Sequence, residues 1–189
     1  LALGGSALAQ ALSKVGGETP DVADAKAFAL AFNSVSDLCK KGYVDAIHDV
    51  SAGGLVTTLL EMCFPNTRGG LNFYTEGFRM YGETDLLKIL FAENPAVVVQ
   101  VSDRFKRRAE NYLDLRGVRY FPIASPAKEN VLTISHTDGR TFMVSIPSAR
   151  RRWYEPSYRF DSLQTARECA DSRFRNFDIQ PVRYHIPGS

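Results

Sequence analysis

The chain has 189 residues, 44% of them hydrophobic, with 23 Lys and Arg against 21 Asp and Glu, a formal net charge of +2 at pH 7. That length suits one domain with an appendage or two small domains, and the hydrophobic share supports a packed core. So slight a charge excess leaves no electrostatic footprint for nucleic acid, and the apolar runs fall well short of the roughly 20 residues a membrane span needs, so neither partner is expected.

The opening run, LALGGSALAQAL, has no basic leader, so a secretory signal is not expected; it also lacks an initiator Met, and a piece of a longer chain is expected instead. A short helix is predicted over 5–15, after the pair Gly4-Gly5. A second is predicted over 24–41, where Phe28, Phe32, Val35 and Leu38 share one face and Gly42 stops the pattern. Residues 43–47 read as a short strand. Residues 54–64 are apolar almost all round, as in a buried helix. A strand is expected over 71–75. Thr84 is the expected cap of a helix over 85–91. The β-branched run AVVVQV at 96–101 reads as a central strand, and Asp103 as the cap of a basic helix running to 115. Strands are predicted over 119–123, 131–135 and 140–146, with HTDG at 136–139 as a hairpin turn. The strands at 96–101, 119–123, 131–135 and 140–146 are expected to pair in one sheet.

The fold class expected is α+β: a single, mainly antiparallel sheet with helices chiefly on one face over residues 1–147, followed by an extended, partly helical strap over 148–189. The strap differs in composition. Eight Arg in residues 150–189 face five acids, Glu155, Asp161, Glu168, Asp171 and Asp178, which leaves 15 basic against 16 acidic residues elsewhere. Seven aromatics lie there too: Trp153, Tyr154, Tyr158, Phe160, Phe174, Phe177 and Tyr184. A disordered tail would be poor in aromatics, so a segment packing across other protein surface is expected, with one helix over 162–174. Binding of nucleic acid is disfavoured because acids are interleaved with the arginines. Cys39, Cys63 and Cys169 are odd in number and widely spaced, and are read as reduced, buried thiols of a cytoplasmic protein. None of them stands in the elbow context of a nucleophile.

Two glycine elbows carry the functional signal. In HDVSAGGL, residues 48–55, Gly53 and Gly54 permit a tight turn and close approach of a ligand. The helix that follows points its free N–H groups back at the loop. Asp49 suits Mg²⁺ and Ser51 a phosphate oxygen. The alternative, commoner on spacing alone, is that Ser51 or Asp49 simply caps the helix. His48 reads as a packed neutral residue with no catalytic part. Gly4-Gly5-Ser6 repeats the logic: an anion-holding turn, or a loop with Ser6 as a cap.

The order of these pieces, LGGSALAQ, ETPDV, a helix, GYVDAIHDVSAGGLVTTLLEMCF, GGLNF and LLKILFAENPAVVVQV, resembles one family. It is similar to the C-terminal half-domain of the second synthetase repeat in large phosphoribosylformylglycinamidine synthases, within the aminoimidazole ribonucleotide synthetase superfamily. The likeness spans residues 1–147, and the tail, with RRRWYEPSYRFDSLQTARECADSRFRNF, resembles the connector to the glutaminase domain that follows in such enzymes. The resemblance implies an ATP-dependent amidotransferase of purine synthesis. Such an enzyme turns formylglycinamide ribonucleotide, glutamine and ATP into formylglycinamidine ribonucleotide, glutamate, ADP and phosphate. It implies ATP and Mg²⁺ as cofactors, Asp49 as a metal ligand, and Ser51 in contact with ATP. Gly53, Gly54, Gly4, Gly5 and Ser6 fall in its nucleotide elbows, and no catalytic residue is carried over. The partners implied are a preceding synthetase repeat and a following glutaminase, so the chain alone is expected to be inactive.

One departure stands out. Relatives that bind substrate carry an acid-Ser-Gln motif before the central strand; here Glu93 keeps the acid, but Asn94 and Pro95 replace the pair. Asp49 and Ser51 are therefore open to a second reading, as an auxiliary nucleotide site. The sequence is also compatible with the equivalent domain of aminoimidazole ribonucleotide synthetase, which needs no arginine-rich strap, and with a non-catalytic nucleotide-binding scaffold.

Overall fold

A computed structural model describes residues 1–177. The parts of the strap beyond them, including Asp178 and Tyr184, lie outside the described residues. In chain order come α1 (Ala7–Ala11), α2 (Ala25–Lys40), β1 (Ala46–Val50), α3 (Gly54–Cys63), β2 (Gly70–Tyr74), α4 (Glu76–Arg79) and α5 (Leu86–Phe91). Then follow β3 (Ala96–Gln100), α6 (Asp103–Leu115), β4 (Ala124–Ala127), β5 (Val131–Ser135), β6 (Thr141–Ser145), α7 (Ile146–Gln164) and α8 (Arg167–Asn176).

The α+β class expected from the sequence is what forms, but the single sheet is two. β1 and β3 make an antiparallel ribbon, with Ala46 opposite Gln100 and Val50 opposite Ala96. The other four strands run in the order β4-β2-β5-β6, antiparallel except for β2 beside β5. Strand 96–101 therefore pairs with β1 and not with the strands at 131–135 and 141–145. Residues 119–123 are not a strand. Phe121 is drawn instead onto the rings of Phe78 and Tyr81, at centroid distances of 4.8 and 5.0 Å. The chain pairs three residues later, as β4, where Pro126 is tolerated because this strand is an edge. The HTDG turn joins β5 to β6 as expected.

Alternation along the strands sets the main core. Phe73 of β2 and Leu132 and Ile134 of β5 point to one face of the four-stranded sheet, and all three are buried. Leu55, Val56 and Leu59 of α3, Ile89 and Leu90 of α5, and Ile146 at the start of α7 cover them. Val50 and Val98 attach the ribbon to the same cluster. A smaller core forms where Leu38 of α2 meets Ala109 and Leu113 of α6. It is edged by a polar knot: Tyr112 donates to Asp37 at 2.7 Å and Arg116 Nε to Ser34 Oγ at 2.9 Å. The Tyr112 bond, more than the nearby Arg116, holds the Asp37 carboxyl below the usual range.

Helix ends follow local chemistry more closely than sequence spacing suggested. Asp24 caps α2, accepting from the N–H groups of Lys26 and Ala27. Asp85, not Thr84, caps α5, accepting from the N–H groups of Leu87 and Lys88. Ser102 is the cap position of α6, and Asp103 lies in its first turn. Of the cysteines, Cys39 and Cys169 are exposed and Cys63 only half-buried, so the expectation of buried thiols fails; all three are free.

The described part of the strap, up to residue 177, is not extended. It is a helical hairpin in which α7 carries straight on from β6, with Ser145 as its cap. Tyr154 and Tyr158, one turn apart on α7, stack on Phe177 and Phe174 at 3.9 and 4.3 Å. Arg173 of α8 grips both oxygens of Asp161 at 2.6 and 2.7 Å. That fork, ahead of the Thr165 hydroxyl, keeps the Asp161 carboxyl below its usual range.

Two outcomes are expected. Phe73→Ala leaves a cavity under the sheet and should cost about 3–5 kcal/mol in chemical denaturation. The Asp161 contribution is present above the unfolded carboxyl value near 4 and disappears as pH falls through the lower folded value. Asp161→Asn should therefore lower the melting temperature at pH 7, by a margin that shrinks as the pH is taken below about 4.

Candidate functional site

The elbow HDVSAGGL joins the ribbon to the main core. Its strand, β1, alternates: His48 and Val50 face inward, while Ile47 and Asp49 face out. Asp49 therefore sits on the strand, opposite Val97 of β3, and not on the loop where the sequence reading put it. Its side chain is 73% exposed. Ser51 and Ala52 continue outward, and the chain then turns through Gly53 into α3.

The turn requires glycine. Gly53 and Gly54 have φ of 89° and 70°, a region that other residues enter at a cost. A Cβ on Gly54 would also meet the backbone of Phe91 and Leu90 at 2.6 to 2.7 Å. The missing side chain is what lets α3 lie against α5, so this glycine serves packing first.

Neither Asp49 nor Ser51 caps α3. The cap position is Gly53, with no side-chain bond to the helix N-terminus. Ser51 contributes only its carbonyl, which accepts from Gly54 N–H at 2.9 Å. The simple capping role considered for these two residues is therefore not the one they play. What holds the turn is Glu93, just before β3. Its Oε1 accepts from Gly53 N–H at 2.8 Å and from Ala7 N–H, the first residue of α1, at 2.8 Å. The neighbouring Asn94 accepts from Ala2 N–H at 2.9 Å.

The two glycine elbows, far apart in sequence, thus meet on one carboxylate. In the first, Ser6 is buried and fully used: it donates to Leu3 C=O at 2.7 Å and accepts from Ala9 N–H at 3.2 Å. Gly4 donates to Glu18 C=O at 2.7 Å, and Gly5 to Val15 C=O at 2.8 Å. The hydroxyl of Ser6 serves as the cap of α1, the second of the two roles its sequence allowed.

His48, on the inward side, has its two nitrogens engaged. Nδ1 lies 2.7 Å from Asp49 C=O, and Nε2 lies 3.1 Å from Glu61 of α3. The other oxygen of Glu61 accepts from Trp153 Nε1 of α7 at 2.6 Å. Trp153 also leans on Phe64, whose carbonyl accepts from the buried Arg150 at 3.1 Å. The elbow is thereby connected through α3 to the hairpin. Burial pushes the Cys63 thiol up, which disfavours thiolate chemistry there.

Among the described residues no group of three or more His, Cys, Asp or Glu is placed to hold a metal. Asp49 could supply one ligand, the remaining positions falling to phosphate oxygens and water, an arrangement Mg²⁺ often adopts. Sequence reasoning missed Glu93, Glu61 and Trp153 as parts of this assembly. The acid preceding a strand was visible; its reach across 40 and 86 residues was not.

Gly54→Ala should destabilise the chain by at least about 2 kcal/mol, since backbone strain and the Phe91 contact add. Thermal melting of that variant beside Gly69→Ala, whose site is more open, checks it.

Residues 1–135 match the family described as AIR synthase related protein, C-terminal domain. A relative in Arabidopsis thaliana, named probable phosphoribosylformylglycinamidine synthase, chloroplastic/mitochondrial, is 30% identical over 177 residues, covering 89% of this chain and 12% of its own. The phosphoribosylformylglycinamidine synthase of Schizosaccharomyces pombe is 30% identical over 180 residues, with coverage of 92% and 13%, and that of Drosophila melanogaster 28% over 198, with 98% and 15%. The chain thus spans 12 to 15% of these curated relatives. Among solved structures, Thermotoga maritima PurL complexed with FGAR shares the fold at a TM-score of 0.59 and 17% identity, covering 68% of this chain and 22% of that one. The same protein complexed with ATP gives 0.54 and 17%, with coverage of 64% and 21%.

Proposed function

We propose a function on the premise that this chain belongs to the AIR synthase related protein family, as its C-terminal domain. Residues 1–147 are one half-domain of an ATP-dependent amidotransferase of purine synthesis, and residues 148–189 lead toward a further domain. The whole enzyme would make formylglycinamidine ribonucleotide, with ammonia drawn from glutamine by a glutaminase domain. The family match over residues 1–135 carries this reading, and the names of the relatives support it. The proposed division falls in the first turn of α7, so the second part would begin as a continuation of the first.

The elbow has the role of a metal-nucleotide contact. Asp49 is exposed, has no cap to serve, and stands two residues before Ser51 and its hydroxyl at the entrance of α3. The N-terminal end of that helix favours anionic oxygens. Bound Mg²⁺ would neutralise phosphate charge. Asp49 would hold its position, and Ser51 would donate to a phosphate oxygen. Ile47, 49% exposed, and Val97, 42% exposed, lie beside Asp49 on the same outer face of the ribbon. That half-apolar face supports the packing of another half-domain over the site, which would complete it. Loss of the Ser-Gln pair at Asn94 and Pro95 favours an auxiliary nucleotide site over substrate binding. We place the protein in the cytoplasm, a reading supported by its three free thiols.

In the whole enzyme, Asp49→Asn should weaken Mg-nucleotide binding by about tenfold while this domain stays folded. Titration of Mg-ATP into that variant decides; unchanged affinity at every nucleotide site would remove Asp49 from the function.

A further inference from the structure

We infer that Glu93 is a positioning residue that sets the geometry of both glycine elbows, and through Gly53 the presentation of Ser51. The inference rests on the reading of the elbow as a metal-nucleotide contact. One oxygen, Oε1, takes the N–H of Gly53 and the N–H of Ala7, each at 2.8 Å. Gly53 sits at the cap of α3, which has no side-chain cap, and Ala7 opens α1, whose hydroxyl cap Ser6 serves Ala9 instead. Both are donors that a helix start leaves without a partner inside the helix. Both bonds are partly buried, where a donor left unpaired is costly, so the carboxylate between them stabilises the two turns in this form.

The consequence for the elbow is local. Gly53 has a left-handed backbone, and with its N–H untied that turn would sample other conformations. Ser51 is two residues upstream, and its carbonyl is already part of the same turn through Gly54 N–H. Asp49 is less affected, because the ladder with β3 holds it opposite Val97. The chain therefore fixes its metal ligand by sheet pairing and its phosphate-facing hydroxyl by Glu93. This also gives the first elbow a role. Gly4, Gly5 and Ser6 form the second abutment of the pin, with their own N–H groups already paired.

The geometry separates reach from charge. Glu93→Gln keeps a carbonyl oxygen at the same length and removes the charge. Glu93→Asp keeps the charge and falls one methylene short of spanning both donors. Both should fold, and melting without nucleotide is recorded for each. In the whole enzyme titrated with Mg-ATP, Glu93→Gln should bind within about threefold of the unmodified protein, and Glu93→Asp about tenfold more weakly. Amide exchange at Gly53 and Ala7 should quicken together in Glu93→Asp and stay slow in Glu93→Gln. If Glu93→Asp binds unchanged, or Glu93→Gln is as weak as Glu93→Asp, the positioning role is overturned, whatever Asp49→Asn does. If Asp49→Asn is silent while Glu93→Asp weakens binding and Glu93→Gln does not, the role proposed for Asp49 fails and that of Glu93 stands.

Discussion

A single carboxylate oxygen on Glu93 joins three stretches of chain: the entry to α1, the turn before α3, and the start of β3. Each stretch is short and poor in interactions of its own. α1 has five residues, the turn is rich in glycine, and among the described residues β3 pairs with only one neighbour. A five-residue helix has little stability in isolation, since nucleation is costly and few bonds follow it. Its persistence depends on docking, and Glu93 with Asn94 provides the polar part of that docking. The exposed face bearing Asp49, by contrast, is set by the ladder between β1 and β3.

Two different physical limits shape the elbow itself. One is steric: α3 approaches α5 so closely at Gly54 that no side chain fits. The other is the hydrogen-bonding demand of a helix start with no capping hydroxyl. Together they explain why a polar, glycine-rich segment precedes so apolar a helix. The glycines belong to packing and backbone geometry, and the pairing of the free N–H is delegated to Glu93. Asp49 and Ser51 have side chains outside both demands, as the proposed metal-nucleotide contact requires.

Local pattern made much of this legible. The apolar run of α3, the one-faced spacing of α2, the alternation of β5 and β6 and the HTDG turn all follow from periodicity over a few residues. The division into a ribbon and a four-stranded sheet does not, because pairing partners are chosen by distant contacts. AVVVQV has the composition of a central strand, yet among the described residues it pairs on one side only, with β1. The run at 119–123 has strand-like residues, but the ring of Phe121 has a better place against Phe78 and Tyr81. The strap looked extended because its helical signal is interrupted by Pro156 and by charged residues; the four rings that lock the hairpin become a pattern only once α7 and α8 face each other. At the site, residue types were readable and their connections were not. Asp49 and Ser51 could be picked out, whereas the bond from Glu93 to both elbows needed the fold.

α7 has a mechanical consequence. Its root, Ile146, is in the main core, and Arg150 and Trp153 bolt its first turns to α3 and the residue that follows it. The bonds of its second half, from Tyr158 and Asp161, run to α8. A helix of 19 residues is roughly 28 Å long, so it behaves as a cantilever clamped at one end and stiffened by a brace along the other. A rotation of about ten degrees at the clamp would swing the tip by about 5 Å on that length. The clamp includes Glu61, which also holds His48 beside Asp49. A small displacement of the elbow strand would be geared up along such an arm, where a flexible linker would absorb it.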